Sequence, residues 1–371
     1  PLQHTKFSLD VSGIAGFFGG EESFAAMSSV HLMRGRRWMG WYNSPGSYYV
    51  AKKYGTLAKS RLWNGLFPGP SVEPAEMLEL DSKQGPRYMG VYSGTRLSTT
   101  SHLSYLISRH CDLKESVQKK QRTKITITIV ELKDQALWDN HPVIPEEHFM
   151  PFDALGFIPT VFTIVGGVMA ALWGDWYSFA MIFLGAVSNG VSCYVLGSGT
   201  LRLESPVPSP NSPPGDGMLI SNRDIIILKG NEQSVSNVIR GRYQLHFDSE
   251  PKYRNIGWSS VMLISQFLLQ LFLVPQGVLI GQIMFLATFI VSWGFNAYLA
   301  SVDREILQTN VLLKVLGKPN IRKFTVDKWS TAAVFATFYL QPTEPESILN
   351  ELVPNSTPAW NVWKKRIIEA I

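Results

Sequence analysis

Cysteine is nearly missing from this 371-residue chain: Cys111 stands beside His110 in a polar stretch and Cys193 inside an apolar run. Two residues so far apart and so different in setting imply no disulfide framework. Phosphate-binding loops, zinc-ligand spacings, nucleophile elbows and dinucleotide fingerprints are also missing in any form that would carry their mechanism. That absence is informative but not decisive about an enzyme, and no cofactor is expected. The nearest candidate for chemistry is Asp139, His141, Glu146, Glu147 and His148. Pro142 and Pro145 keep that stretch from being helical, so a two-histidine helical zinc geometry is not available to it. A solvated loop ahead of an apolar run is the expectation.

Charge is missing only in places, and there its absence is systematic. Ala154 to Trp173 passes without a charged residue, and about 20 residues at 1.5 Å each match a hydrocarbon core of roughly 30 Å. After Gly174 and Asp175, the run Trp176 to Gly197 is again uncharged. So is the block from Trp258 to Ser301, too long for one crossing and interrupted by Pro275, Gln276 and Gly277. Proline removes an N–H donor and glycine frees the backbone, so the block divides into Trp258 to Val274 and Val278 to Ala300. Soluble helices carry charges every few residues on one face. Four spans arranged as two tight hairpins are predicted, with Trp173, Trp176, Tyr177, Trp258 and Tyr298 as interfacial aromatics.

Lys and Arg are absent from both hairpin turns. They gather before the first span (Lys119, Lys120, Arg122, Lys124, Lys133), in the middle loop, and after the fourth span. The positive-inside rule then makes the termini and the 198–257 loop cytoplasmic. The net charge of +5, from 34 Lys and Arg against 29 Asp and Glu, reads as membrane orientation, and no nucleic-acid partner is expected. The sequon at Asn355, Ser356 and Thr357 would lie in the cytosol ahead of Pro358, so no glycan is expected there. The chain opens on Pro1 rather than Met, which reads as a fragment or processed product. Gly13 to Phe18 is too short and too glycine-rich to be a span or a signal peptide.

The expected fold class is an α-helical polytopic membrane protein with α+β parts. Residues 1–150 form a cytosolic N-terminal region of mixed strands and irregular structure; 153–197 is the first hairpin. Residues 198–257 hold a Pro-rich linker and a small α+β module, 258–300 the second hairpin, and 301–371 a mainly helical cytosolic tail. Lys124 to Leu132 alternates Ile and Thr with a period of two and predicts a half-buried strand. Strands are also predicted on either side of Ser221, Asn222 and Arg223 and at Arg242 to Phe247. Arg34 to Tyr54 mixes basic and aromatic residues that suit stacked bases, lipid headgroups or an irregular folded segment. Trp329 to Leu340 is too short to cross and should pack on the bundle or lie at the interface. Ala359 to Ile371 places Trp360, Trp363, Ile367 and Ile371 on one helical face.

The polar residues inside the spans are neutral. Asn189, Gln266, Gln270, Gln282 and Asn296 are the candidate intramembrane contacts, with Ser292 beside them. Gln266 and Gln270, one turn apart, share a face on which amides can bridge helices. No Asp, Glu, Lys, Arg or His lies within a span, which counts against a proton-coupled pump.

The stretch GDWYSFAMIFLGAVSNGVSCYVLGSG, the following SPPGDGMLISNRDIIILKGNE and the later IRGRYQLHF resemble uncharacterised multi-span membrane proteins of filamentous and mushroom-forming fungi. The similarity covers roughly 153–300. It implies the hairpin, β-module, hairpin order and carries no activity. Three functional readings follow. In the first, the hairpins anchor cytosolic parts that bind a protein partner or the membrane surface. The second is a passive transporter or channel subunit for a neutral solute. The third is a membrane-bound enzyme whose site joins His141, Glu146 or His148 to His246 or His110.

Overall fold

The computed structural model describes residues 18–58, 60–70, 72–116, 124–133, 142–144, 146, 155–209, 211–221, 224–247 and 250–371. In chain order the helices are α1 (Gly20–Ser28), α2 (Ser47–Gly55), α3 (Arg61–Leu66), α4 (Pro74–Met77), α5 (His102–Ser116), α6 (Phe157–Leu172) and α7 (Trp176–Leu196). They continue as α8 (Glu232–Ile239), α9 (Glu250–Leu273), α10 (Leu279–Ser301), α11 (Arg304–Val315), α12 (Trp329–Leu340), α13 (Pro345–Leu352) and α14 (Pro358–Glu369). The strands are β1 (Arg87–Gly90), β2 (Arg96–Leu97), β3 (Ile125–Glu131), β4 (Thr200–Glu204), β5 (Gly217–Ile220), β6 (Asp224–Lys229), β7 (Arg242–His246) and β8 (Asn320–Val326). The chain divides into two units, one reaching Leu80 and resuming at Pro145–Leu201 and Leu245–Arg304, the other holding Asp81–Ile144, Arg202–Gln244 and Glu305–Ile371.

The uncharged runs form α6, α7, α9 and α10. Of these α7, α9 with its continuation to Gln276, and α10 are long and apolar enough to cross a membrane. The first expected span is shorter than its uncharged run: α6 has 16 residues, a rise of about 24 Å. Where Pro275 and Gly277 predict a break, α9 gives way to a 3-10 turn at Val274–Gln276 and α10 begins after Val278.

These helices are built inside out. Phe157 (58% exposed), Leu172 (76%), Phe183 (62%) and Phe272 (69%) face outward. Thr163, Ser188, Asn189, Ser192, Gln266, Gln270, Ser292 and Asn296 are buried, together with small residues such as Gly166, Gly167 and Ala170. Water on the outside would favour the reverse arrangement; a hydrocarbon exterior favours this one. Small inward residues let α6 pack closely on α7 and α10.

Residues 1–150 do not behave as one region. The described part up to Leu80 is helical and belongs with the apolar helices, α1 packing on α10 and α2 on α9. Only the part after Leu80 contributes strands.

The second unit is organised by a six-stranded sheet in the order β2-β1-β5-β6-β3-β8, antiparallel throughout except for the parallel pair β6–β3. β5, β6 and α8 form where the sequence predicts them, but they join strands from distant segments instead of closing a separate module. β7 leaves that sheet and pairs with β4. β8 corrects the expectation of a mainly helical tail in this stretch: after Gly317, Lys318 and Pro319, the β-forming Ile321, Phe324, Thr325 and Val326 pair along β3. β3 is central rather than half-buried, with Thr126 and Thr128 buried like Ile127 and Ile129. α12, expected on the bundle or at the interface, packs on the sheet: its Ala332, Ala333, Ala336 and Leu340 lie on Ile127, Ile129, Met218, Ile225 and Ile227. Three alanines on one face allow that close approach.

His102 links this unit to pH. Burial holds its imidazole below the usual range. Its Nδ1 accepts the Lys83 N–H at 3.3 Å and its Nε2 lies 3.0 Å from Gln308 Oε1, an arrangement that fixes the neutral tautomer protonated at Nε2. With the folded pKa depressed, the unfolded chain takes up the proton first as pH falls. The stability contributed here is therefore complete above about pH 6.5 and declines below it. Amide exchange corrected for intrinsic rates should show protection in 102–112 and 304–315 falling between pH 7 and pH 5. His102→Gln should flatten that dependence, and an unchanged slope would remove His102 as its source.

Candidate functional site

The candidate site is the polar interior of the helical unit, built where a chain turn, Gly40 to Gly46, enters between the long helices. Gly46 starts α2 with φ 76°, a conformation glycine adopts without strain, and a side chain there would strike the backbone of Gly20. The turn's polar groups face those of the helices. Asn189 Nδ2 donates to Gly40 O at 2.7 Å, and Tyr42 O–H to Asn296 Oδ1 at 2.7 Å. The Asn43 backbone N–H donates to Thr163 Oγ1 at 3.1 Å and its Nδ2 to Thr288 Oγ1 at 3.0 Å. Asn296 Nδ2 completes the set by donating to Ser23 Oγ at 2.8 Å and Ser44 Oγ at 3.0 Å. One turn of chain thus binds α6, α7 and α10, and Asn296 extends the network to α1.

Arg36 extends the same network. Its side chain is fully buried; Nη2 donates to Tyr42 O–H at 3.0 Å, and the guanidinium lies 5.9 Å from the ring centroids of Tyr42 and Phe295. Burying a guanidinium is costly, and aromatic faces with a phenol oxygen offset part of that cost. Nothing in the sequence distinguishes Arg36 from its neighbours Arg34 and Arg37. Nearby, burial pushes the His31 imidazole down to about 4, with a bond to the Gly199 backbone opposing the shift, so His31 is neutral here.

The five sequence-predicted residues separate into three groups. Asn189 and Asn296 hold the inserted turn. Gln266 and Gln270 do point inward, but they bridge nothing: both side chains are fully buried, and neither amide has a hydrogen-bond partner. Gly185 explains the crowding around the first of them, because a Cβ at that position would meet Asn43 Oδ1 and would lie 3.2 Å from Gln266 Nε2. Asn43 Oδ1 is itself without a partner. Gln282 works elsewhere, donating to Gly277 O at 3.0 Å and so closing the second hairpin turn.

Asp175 was read as a turn residue, yet it is buried. Its Oδ1 accepts the Ser178 N–H at 3.0 Å as the N-cap of α7, and its Oδ2 accepts the Val278 N–H at 2.9 Å at the start of α10. One carboxylate therefore joins the start of α7 to the start of α10.

Other candidates carry less. A hollow of about 610 Å³ on the sheet unit is lined by Arg87, Ser98, Trp329, Asn350 and Glu351. Glu351 pairs with Arg87 at 3.0 Å and with Arg96 at 3.6 Å, so the arginine that lines the hollow already has a carboxylate partner within the chain. Asp139, His141, Glu147 and His148 lie outside the described residues, and among the described residues no three His, Cys, Asp or Glu side chains are placed to hold a metal ion. Comparison of the chain with protein-family models, with curated proteins and with solved structures finds no match.

The two polar groups predict opposite responses to substitution. Asn296→Leu takes the acceptor from the buried Tyr42 hydroxyl and a donor from Ser23 and Ser44, which keep their bonds to Pro45 O, and should cost about 2–3 kcal/mol. It should lower the unfolding temperature in detergent and open the chain before Gly46 to protease. Gln266→Leu removes a buried amide that bonds nothing and should leave stability unchanged or raise it by about 1 kcal/mol. Equal losses from both would place Gln266 in the load of the network and refute the distinction.

Proposed function

We propose that the chain is an integral membrane protein crossing the bilayer four times as the hairpins α6–α7 and α9–α10, and that it serves as a membrane-anchored binding or scaffold protein rather than an enzyme. The observation that carries this reading is the pairing of an apolar exterior with an interior whose Asn189, Asn296, Thr163 and Thr288 are already bonded to the chain's own 40–46 turn. A conducting pathway needs polar groups that can exchange partners with a solute. Here most of them are committed internally. The short α6 fits a crossing through local thinning of the bilayer or a small tilt of its neighbours. The basic residues favour a cytoplasmic location for the termini and the 198–257 loop.

A second reading, passive passage of a neutral solute, draws on the unpartnered amides of Gln266 and Gln270 beside Asn43 Oδ1. Such groups can trade donors and acceptors with an alcohol or amide.

Two measurements decide. With Cys111 and Cys193 changed to Ser, single cysteines at the exposed Trp176, Gln276, Lys229 and Asn355 are labelled in sealed membranes from each side. Trp176 and Gln276 should label from one side and Lys229 and Asn355 from the other; uniform labelling, or extraction of the protein by carbonate, defeats the four-span topology. Proteoliposomes are then tested for glycerol and urea swelling. No flux above empty vesicles is expected. Flux that Gln266→Leu with Gln270→Leu abolishes would replace the anchor reading with the passage reading.

A further inference from the structure

We infer that the rim of the helical unit at the C-terminal end of α7 binds the phosphate of an anionic phospholipid headgroup through the guanidinium of Arg37, set against the rings of Trp38 and Tyr194. The inference rests on the membrane reading above.

The geometry is specific to this end of the helix. Arg37 Cζ lies 4.4 Å from the centroid of the Tyr194 ring and 5.3 Å from that of Trp38, and the two rings are 5.0 Å apart at 58°. Rings on the faces of a guanidinium leave its N–H donors for contacts in the guanidinium plane, where the two Nη groups match phosphate oxygens. Arg37 Nε is itself buried and has no hydrogen-bond partner among the described residues, so a contact with phosphate falls to the two Nη groups. A Cβ at Gly197 would sit 2.9 Å from Arg37 Cβ, which places Arg37 directly against the end of α7. The carbonyl end of the helix favours a cation there.

Depth agrees with chemistry. Trp176 and Tyr177 stand exposed at the start of α7, and Tyr194 stands exposed in its last turn. From Trp176 to Tyr194 the helix rises about 27 Å, close to the hydrocarbon thickness of roughly 30 Å. Two aromatic levels thus bracket the apolar exterior, and Trp38 (60% exposed), its ring 5.0 Å from that of Tyr194, lies at the second. Among the described residues, the first level holds no Lys or Arg between Trp173 and Tyr177, while Arg37 stands at the second. No Asp or Glu occurs between Glu22 and Glu73, an interval that holds seven Lys and Arg, among them the exposed Arg34. That is the face proposed as cytoplasmic, the leaflet where anionic lipids concentrate. A soluble acidic peptide would share the charge preference, but it would have no reason to meet rings set at headgroup depth.

The test uses the whole protein in nanodiscs of phosphatidylcholine with one fifth phosphatidylserine, and native mass spectrometry to count the lipids retained on release. Wild type should retain phosphatidylserine in preference to phosphatidylcholine. Arg37→Gln should reduce that preference about fivefold, and the surface variant Trp38→Ala should also weaken it, which keeps the test open if Arg37→Gln does not fold. Equal retention of both lipids by wild type, or a preference unchanged in both variants, overturns the inference. So does capture of a soluble oligo-glutamate peptide without any lipid preference. Extraction of wild type by alkaline carbonate would instead bring down the membrane reading, whereas stable insertion without lipid preference would sink this inference alone.

Discussion

The helical unit depends on the bonds between the 40–46 turn and the side chains that face it. A bundle with apolar side chains outside and Asn, Gln, Thr and Ser inside cannot rely on water to satisfy its interior. Tyr42, Asn43 and Gly40 supply the donors and acceptors instead, reaching Asn296, Thr288, Thr163 and Asn189 on three different helices. The consequence extends to the N-terminal helices. Since Asn296 also holds Ser23 and Ser44, α1 and α2 are fixed by the same network and become part of the bundle.

That constraint explains which residues can be small and which must be polar. Gly185 has no side chain because Asn43 occupies the space one would need, and Gly166 likewise faces Thr288 Cγ2 at 2.7 Å from where a Cβ would stand. Neutral polar groups suffice for this work. The single guanidinium admitted, Arg36, is surrounded by Tyr42 and Phe295 and linked to the turn through the Tyr42 hydroxyl. Burial alone favours the neutral form of His31 in the same region, so local charge is carried by Arg36 and not multiplied.

Local pattern made much of this legible. Uncharged length marked α6, α7, α9 and α10, Pro275 with Gly277 marked the break between the last two, and the Ile-Thr alternation marked β3. Asn189, Gln266, Gln270, Gln282 and Asn296 were recognisable as inward residues because polar side chains in apolar helices avoid the exterior. Their partners were not recognisable. Tyr42 and Asn296 are separated by 254 positions, and no periodicity in either segment encodes that pairing. Asp175 misled in the opposite direction, since an acid in a two-residue turn reads as solvent-exposed until the second hairpin turn is placed against it. β8 escaped for a simpler reason: its Arg322 and Lys323 interrupt the apolar pattern, while Arg322 pairs with Glu131 and Lys323 reaches Cys111 O.

Helix polarity gives the charge distribution of the sequence a physical basis beyond its statistical association with cytoplasmic loops. α7 and α10 start at the same end, where Asp175 accepts N–H groups from both, and the positive ends of two helix dipoles converge on one carboxylate. Cations there would add to that positive potential, and both turns lack them. At the opposite end the carbonyl termini prefer positive charge, and Arg37 lies against Gly197 while Arg304 follows α10 and bonds Ser28 and Glu79. The acid at one end accepts N–H groups from both helices, and at the other end Arg37 lies against the last turn of α7. In the proposed topology the rule that places Lys and Arg toward the cytoplasm and the rule that places them at helix C-termini therefore act on the same residues, and a hairpin reversed in the bilayer would violate the first while the second held it in shape.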